Sequence, residues 1–451
     1  MFSGYLIISL IVSVVIILGL IVKGHLNAGL ALIIGSITLG IMSGLDFSDI
    51  VKGIDNGFGG MLTDIGLPIG FGIILGKLLS DSGGANVIAE NLVKIFPESK
   101  ALYALAFTSF IIAIPVFFDV TFVILVPIGI AMIDRINKSM GHVVGAICIG
   151  GGTAFLLVPP APNPLAAAGI LKFDVGLLII GGLLIGGCSV IIATAIHSRL
   201  LSSKLWKPQT DEGEEGLQEI ETVEKTDKAP SLVVSLIPIL LPVILIILNT
   251  ITSAILGDSQ PSILEFIGSK SIAMLIGAIA AFIVGLVFLG GKNTESSASE
   301  ALEPAGIVFL ITGAGGSFAE IIKSSGISDA IVDLVSGFGT NIILVLIMSW
   351  LAGVIFRQVT GSGTVAALTT LGIMSGVASA VDIHPMFIAM ACLSGSLFGA
   401  TINDSGFWIV SKVSGFTLSG GIKTYTLGQG LSSVITIIIT IIVACISLIF
   451  K

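Results

Sequence analysis

Long apolar runs separated by short polar breaks fill the chain from end to end. Several approach the ~20 residues that an α-helix needs to cross a bilayer. In the first half they predict crossings in the opening "MFSGYLIISLIVSVVIILGLIVKG" and at about 27–44, 59–79, 143–172 and 174–197. Residues 101–133 are also apolar, but two full crossings would need about 40 residues. This stretch therefore predicts a re-entrant hairpin with its tip near 115–121. The opening run has no basic segment before its apolar core, so it reads as a retained first span.

One long hydrophilic stretch, "SSKLWKPQTDEGEEGLQEIETVEKTDKAPS" at 202–231, interrupts this pattern. Its acidic centre and lack of apolar periodicity predict a solvated, mobile linker. The chain divides into a first transmembrane half at 1–200, a linker at 201–230 and a second half at 231–451. An offset of 243 residues relates the halves, pairing Gly70, Gly72, Ser82, Gly83, Ile88, Thr121, Gly129 and Ile130 with Gly313, Gly315, Ser325, Gly326, Ile331, Thr364, Gly372 and Ile373. The order of features repeats as well.

Lysine and arginine in short loops orient the spans. Lys23, Lys94, Lys100, the loop 134–142 and Arg199, Lys204 and Lys207 mark cytoplasmic ends, whereas Asp46, Asp49 and Asp55 mark an outer loop. The N-terminus is then outside and the linker cytoplasmic. In the second half the loop 375–385 has no Lys or Arg, and Lys412 and Lys423 lie in a connection placed inside. The predicted fold is an all-α polytopic membrane protein, an inverted repeat of ten crossings and two re-entrant hairpins with interrupted helices. Secondary transporters recurrently use this plan, with substrate near the midplane.

Composition agrees. The chain is 54% hydrophobic and 11% charged, against about 25% charged in soluble domains. Its 57 glycines suit close helix packing and local unwinding. Cys148, Cys188, Cys392 and Cys445 lie in apolar runs without metal-ligand spacing. No metal, cofactor or nucleic-acid partner is indicated, and no nucleotide loop or nucleophile elbow appears. The "GSGTVA" around Ser362 has no nearby base, so the chain does not read as an enzyme.

Asp119 interrupts "IPVFFDVTFVILVP" at 114–127, at the expected hairpin tip. Acids inside membranes are costly and usually functional. The matching tip, "FRQVTGSGTVAALTT" at 356–370, offers Arg357, Thr360, Ser362 and Thr364. Four prolines break "LVPPAPNPLAAAG" at 157–169 around Asn163, and Asn403, Asp404 and Ser405 break "GATINDSGFWIVSK" at 399–412. Two broken elements per half could converge on one site. Each polar residue also has a structural reading: Asp119 as an acceptor for hairpin amides, Asp404 as a helix cap, Arg357 as a snorkelling side chain, and Ser362 and Thr364 bonded back along a helix. Asp64 reads as a structural contact, Asp81 and Ser82 as a cap. His25, His142, His197 and His384 all fall near span ends, which leaves proton coupling to carboxylates.

These stretches, with "KLLSDSGGANVIAENL" at 77–92, resemble the gluconate permease (GntP) family over most of the chain outside the linker. The resemblance implies the fold of the wider ion-transporter superfamily and proton-coupled uptake of gluconate or a related small sugar acid or hydroxycarboxylate. Where the family often has Pro-Pro-His-Pro-Gly-Pro, this chain has Pro159-Pro160-Ala161-Pro162-Asn163-Pro164, a departure that bears on which acid is carried. The resulting expectation gives substrate contacts to Arg357, Ser362, Thr364, Asn403, Asn163 and Thr121, and proton coupling to Asp119 and Asp404. Its partners are a small carboxylate, protons and the bilayer of the cell membrane. The sequence leaves open a homo-oligomer, sodium coupling, another small carboxylate or amino acid such as D-serine, citrate or glycerate, and a passive anion channel.

Overall fold

The computed structural model describes residues 2–97, 100–130, 132–133, 138–213, 229–327, 341–378, 381–399, 401 and 404–449. Among them every named element is helical, and one isolated antiparallel bridge joins Glu212 to Phe416. The first half comprises α1 (Phe2–Val22), α2 (Ala28–Met42), α3 (Phe47–Asp81), α4 (Gly84–Ile95), α5 (Ala101–Ile112), α6 (Phe118–Ile130), α7 (Met140–Leu157), α8 (Pro162–Leu171) and α9 (Val175–Leu205). The second comprises α10 (Leu232–Leu256), α11 (Ser262–Gly268), α12 (Lys270–Phe288), α13 (Gly291–Glu300), α14 (Leu302–Ser324), α15 (Ile342–Thr360), α16 (Gly363–Ala378), α17 (Pro385–Leu397), α18 (Ser405–Val413) and α19 (Leu418–Ile449).

The offset of 243 found in the sequence organises these elements. It lays α2 on α12, α3 on α13–α14, α6 on α16, α8 on α18 and α9 on α19. Ser189 Oγ donates to the Ser432 carbonyl at 2.9 Å, and the two residues are themselves 243 apart. A residue can bond its own repeat mate only near the axis relating the halves, so the contact of α9 with α19 lies on that axis.

Among the described residues, nine helices are long and apolar enough to cross a membrane. They include eight of the ten expected crossings. The other two differ: α2 has only 15 residues, and the α17–α18 span is divided around residues that are not described. The ninth long helix is α15, the 19-residue first arm of the second hairpin. By contrast α5 and α6, with 12 and 13 residues, reach only about 18–20 Å each, too short for either to cross the ~30 Å hydrocarbon core upright. Asp49 and Asp55, expected in a loop, lie on α3. That helix starts at Phe47 after Asp46 at its N-cap, and Asp49 in its first turn complements the N-terminal dipole.

Burial follows position. In Met140–Leu171, 94% of the most apolar window is buried, so α7 and α8 form the centre. Ile11, Ile244 and Ile442 on α1, α10 and α19 are exposed, as suits helices whose solvent is lipid.

Polar contacts sort the helix ends onto two faces. On one, Lys138 Nζ meets Ser202 Oγ at 3.5 Å and Lys77 pairs with Glu300 at 3.2 Å. On the other, Thr250 donates to Asp174 at 2.8 Å, and Lys172 pairs with Asp64. The structural reading of Asp64 therefore has a named partner. Asp81 accepts from Lys77 at 2.9 Å, and Ser82 is the buried C-cap of α3.

The start of the hydrophilic stretch is ordered, contrary to the expectation of a solvated linker from 202 onward; 214–228 lie outside the described residues. The carboxylate of Asp211 is buried and accepts from Lys423 Nζ at 2.8 and 2.9 Å, Ser419 Oγ at 2.7 Å and the Lys207 amide at 2.7 Å. Gly213 N donates to Gly415 O at 2.7 Å, and the Trp206 and Phe416 rings meet edge to face. Sequence polarity missed this clasp because Lys423, Ser419 and Gly415, which satisfy these residues, belong to the other half.

Candidate functional site

Three chain breaks converge on a cavity of about 220 Å³: the α5–α6 tip, the α15–α16 tip and the break before α18. Gly361 forms the second tip. At φ +70° it caps α15 in the left-handed region, which glycine adopts at little cost. Its N–H donates to the Arg357 carbonyl at 3.0 Å, and its own carbonyl accepts from Arg357 Nη1 at 3.2 Å. Ser362 Oγ then accepts from the Val365 amide at 3.3 Å at the start of α16. The N-termini of α6, α16 and α18 all face the cavity. Their dipoles favour a negative charge there.

The strongest contact in the cavity is an ion pair between Arg357 Nη2 and Asp404 Oδ2. Both side chains are buried. Asp404 Oδ2 also accepts from the Tyr425 hydroxyl at 2.8 Å, and Oδ1 accepts from Gly406 N at 2.8 Å as the cap of α18. A buried pair persists when further hydrogen bonds satisfy its remaining atoms, and Asp404 meets that condition. Arg357 Nε keeps no partner among the described residues.

Asp119 lies in the first turn of α6, half-buried, and lines the same cavity. Ser362 and Thr364 line it too. Thr121 and Asn163 do not. Both are fully buried; the Thr121 hydroxyl and both polar atoms of Asn163 have no partner among the described residues. The break between α7 and α8 instead borders a small void beyond Phe117 and Phe155, whose rings stand 5.6 Å apart between the two spaces. Three broken elements thus meet rather than four. Asn403 lies outside the described residues. Thr360 bonds back to the Phe356 carbonyl at 2.8 Å.

Tyr425 and Gln429 line the cavity although the sequence reading did not select them. The signal was present: "IKTYTLGQGL" places polar residues in the final apolar run. A π-helical turn at Ile422–Thr426 swings Tyr425 toward Asp404. No group of three or more His, Cys, Asp or Glu among the described residues could hold a metal ion. One cation and two acids, ringed by helix N-termini and hydroxyls, can bind a small anion once proton uptake has offset the acids.

Comparison with known proteins matches residues 5–446 to the family described as GntP family permease. The chain is 30% identical over 447 residues to a gluconate permease of Pseudomonas aeruginosa, covering 98% of each. It is 31% identical to the inner membrane permease YgbN of Escherichia coli, covering 92% of this chain and 93% of that one. Among solved structures, the YdaH transporter of Alcanivorax borkumensis shares the fold, with a TM-score of 0.63, 14% identity, and coverage of 89% and 90% of the two chains.

Proposed function

The chain belongs to the GntP family of permeases, and from that premise we propose that it imports gluconate or a related small sugar acid by proton symport. The observation that carries the coupling is the charge count in the cavity. Arg357 is one cation, already paired, and Asp119 and Asp404 are two acids. A substrate carboxylate entering with both acids ionised would add a third negative charge against a single positive one, in a confined space of low dielectric. Protonating one acid removes that conflict. If the proton goes to Asp404, it also loosens the carboxylate from Arg357 and leaves the planar fork for the substrate. Proton and substrate then bind together, which is what symport requires.

The site supports an acid with hydroxyls rather than a bare one. Ser362, Thr364 and Gln429 line the same space as the charged pair. Gluconate is named for the Pseudomonas relative, but the Escherichia permease, at a similar identity, carries no substrate in its name. The substrate class accordingly extends to neighbouring hydroxycarboxylates. The linker face, with Lys138, Lys204 and Lys207, is the cytoplasmic side of the cell membrane by the positive-inside rule. The clasp at Asp211 holds the start of the linker against the loop before α19, so both belong to that face.

Purified protein in liposomes tests the reading. Uptake is measured over a panel of sugar acids and hydroxy acids with an imposed proton gradient, a sodium gradient or neither. Accumulation of a sugar acid that needs the proton gradient and collapses with a protonophore is expected. Accumulation driven by sodium alone, or mere equilibration without either gradient, would overturn proton symport.

A further inference from the structure

We propose that Gln429 is a specificity residue, recognising a substrate hydroxyl away from the carboxylate. The inference rests on the sugar-acid reading above and deepens it. Gln429 lines the cavity on α19, one turn beyond Tyr425. It is only 3% exposed, and its Oε1 has no hydrogen-bond partner among the described residues. A buried amide oxygen without a donor is unfavourable, and a ligand that supplies the donor recovers the loss.

The neighbours show why the amide sits there. Gly152 of α7 faces it so closely that a Cβ on that glycine would stand 2.6 Å from Gln429 Nε2. Glycine at 152 lets the amide lie flat against α7 at the cavity wall. The position 243 residues earlier is Gly186, so the repeat does not demand an amide for packing. The ion pair of the cavity lies at the second hairpin and the cap of α18, where Arg357 and Asp404 meet. Gln429 adds no charge and leaves the proton balance untouched. An amide offers one acceptor and two donors, the complement of a hydroxyl, which both donates and accepts. A site built to bond a hydroxyl discriminates against the analogue that lacks it, because its own polar group is then left unpaired.

The test is competition in counterflow, which needs no gradient. Gluconate and hexanoate, acids of equal chain length with and without hydroxyls, compete with labelled substrate in wild type, Gln429→Leu, Gln429→Asn and Gly152→Ala. Wild type is expected to favour gluconate. In Gln429→Leu the apparent affinity for gluconate should fall about 3- to 10-fold, the range for one neutral hydrogen bond, with hexanoate unchanged. Gly152→Ala, which displaces the amide without removing it, should show the same selective loss. Equal weakening of both acids, or unchanged gluconate affinity in the variants, would overturn the inference while the transport reading stands. A wild type that binds no sugar acid would overturn that reading, and the inference with it. The three variants act by different substitutions, so a folding failure in one leaves two to decide.

Discussion

Arg357 and Asp404, 47 residues apart, bring the second hairpin and the break before α18 together in one buried ion pair. Each residue ends or begins a helix, so the pair fixes both the charge in the cavity and the angle between two elements. Removing one partner leaves a buried charge uncompensated, at about 3–5 kcal/mol. Arg357→Gln and Asp404→Asn should each lower thermal stability in detergent, and the double variant should lose less than the sum of the two. Additive losses would show that the pair contributes no coupling energy.

The same pair predicts a split between substrates and states. Arg357→Lys keeps the charge but loses the planar fork that suits a carboxylate. Apparent affinity for the best sugar acid should fall at least several-fold, with protein yield and monodispersity near wild type. Normal affinity in Arg357→Gln would remove Arg357 as the carboxylate partner.

Orientation is testable at exposed positions. In a background lacking Cys148, Cys188, Cys392 and Cys445, a cysteine at Ser203, at the linker end of α9, should be labelled from the cytoplasm. One at Ser259, between α10 and α11, should be labelled from outside. The reversed pattern would invert the assignment of cavity access.

Much of the fold was legible because membrane physics leaves few choices. Apolar length marks a span, and proline clusters mark a break. The repeat was visible in eight scattered identities, and the contact of Ser189 with Ser432 gives that offset a physical meaning. The hairpin tips were legible for the same reason: Asp119 and Arg357 have no business in lipid. What the sequence could not supply was direction. Thr121 and Thr364 match in the repeat, yet only Thr364 reaches the cavity, because the two halves contribute unequal faces. Tyr425 and Gln429 were hidden in a span whose π-turn resets the helical phase, and a regular period does not anticipate that shift.

The clasp offers a prediction outside the membrane. Burial opposes ionisation of Asp211, but the Lys423 ammonium, the Lys207 amide and the Ser419 hydroxyl outweigh it and hold the carboxyl below its ordinary 3.8. A depressed folded value means the stabilisation is present above the unfolded value and is lost as pH falls through the folded one. Asp211→Asn should therefore melt a few degrees below wild type at neutral pH. The gap should close as the pH drops below about 4. A gap that stays constant with pH would assign the effect to packing rather than charge.

Asp119 separates coupling from structure most sharply. Its carboxylate lines the cavity without a hydrogen bond to any described residue, unlike Asp404, whose oxygens are all engaged. An acid so placed is free to exchange its proton with the cavity. Asp119→Asn mimics the protonated form and can never release that proton inside. Gradient-driven accumulation should then fall to background. Counterflow, which moves no net proton, should persist within a few-fold of wild type. If Asp119 only shapes the hairpin tip, asparagine keeps one carbonyl oxygen in place and both activities should survive together. Retained accumulation in Asp119→Asn would transfer the coupling role to Asp404, whose protonation would have to break the pair with Arg357 on every cycle. In that case Asp404→Asn should keep counterflow and lose accumulation. Loss of both activities in Asp119→Asn, with monodispersity and melting temperature intact, would instead make the carboxylate part of substrate binding.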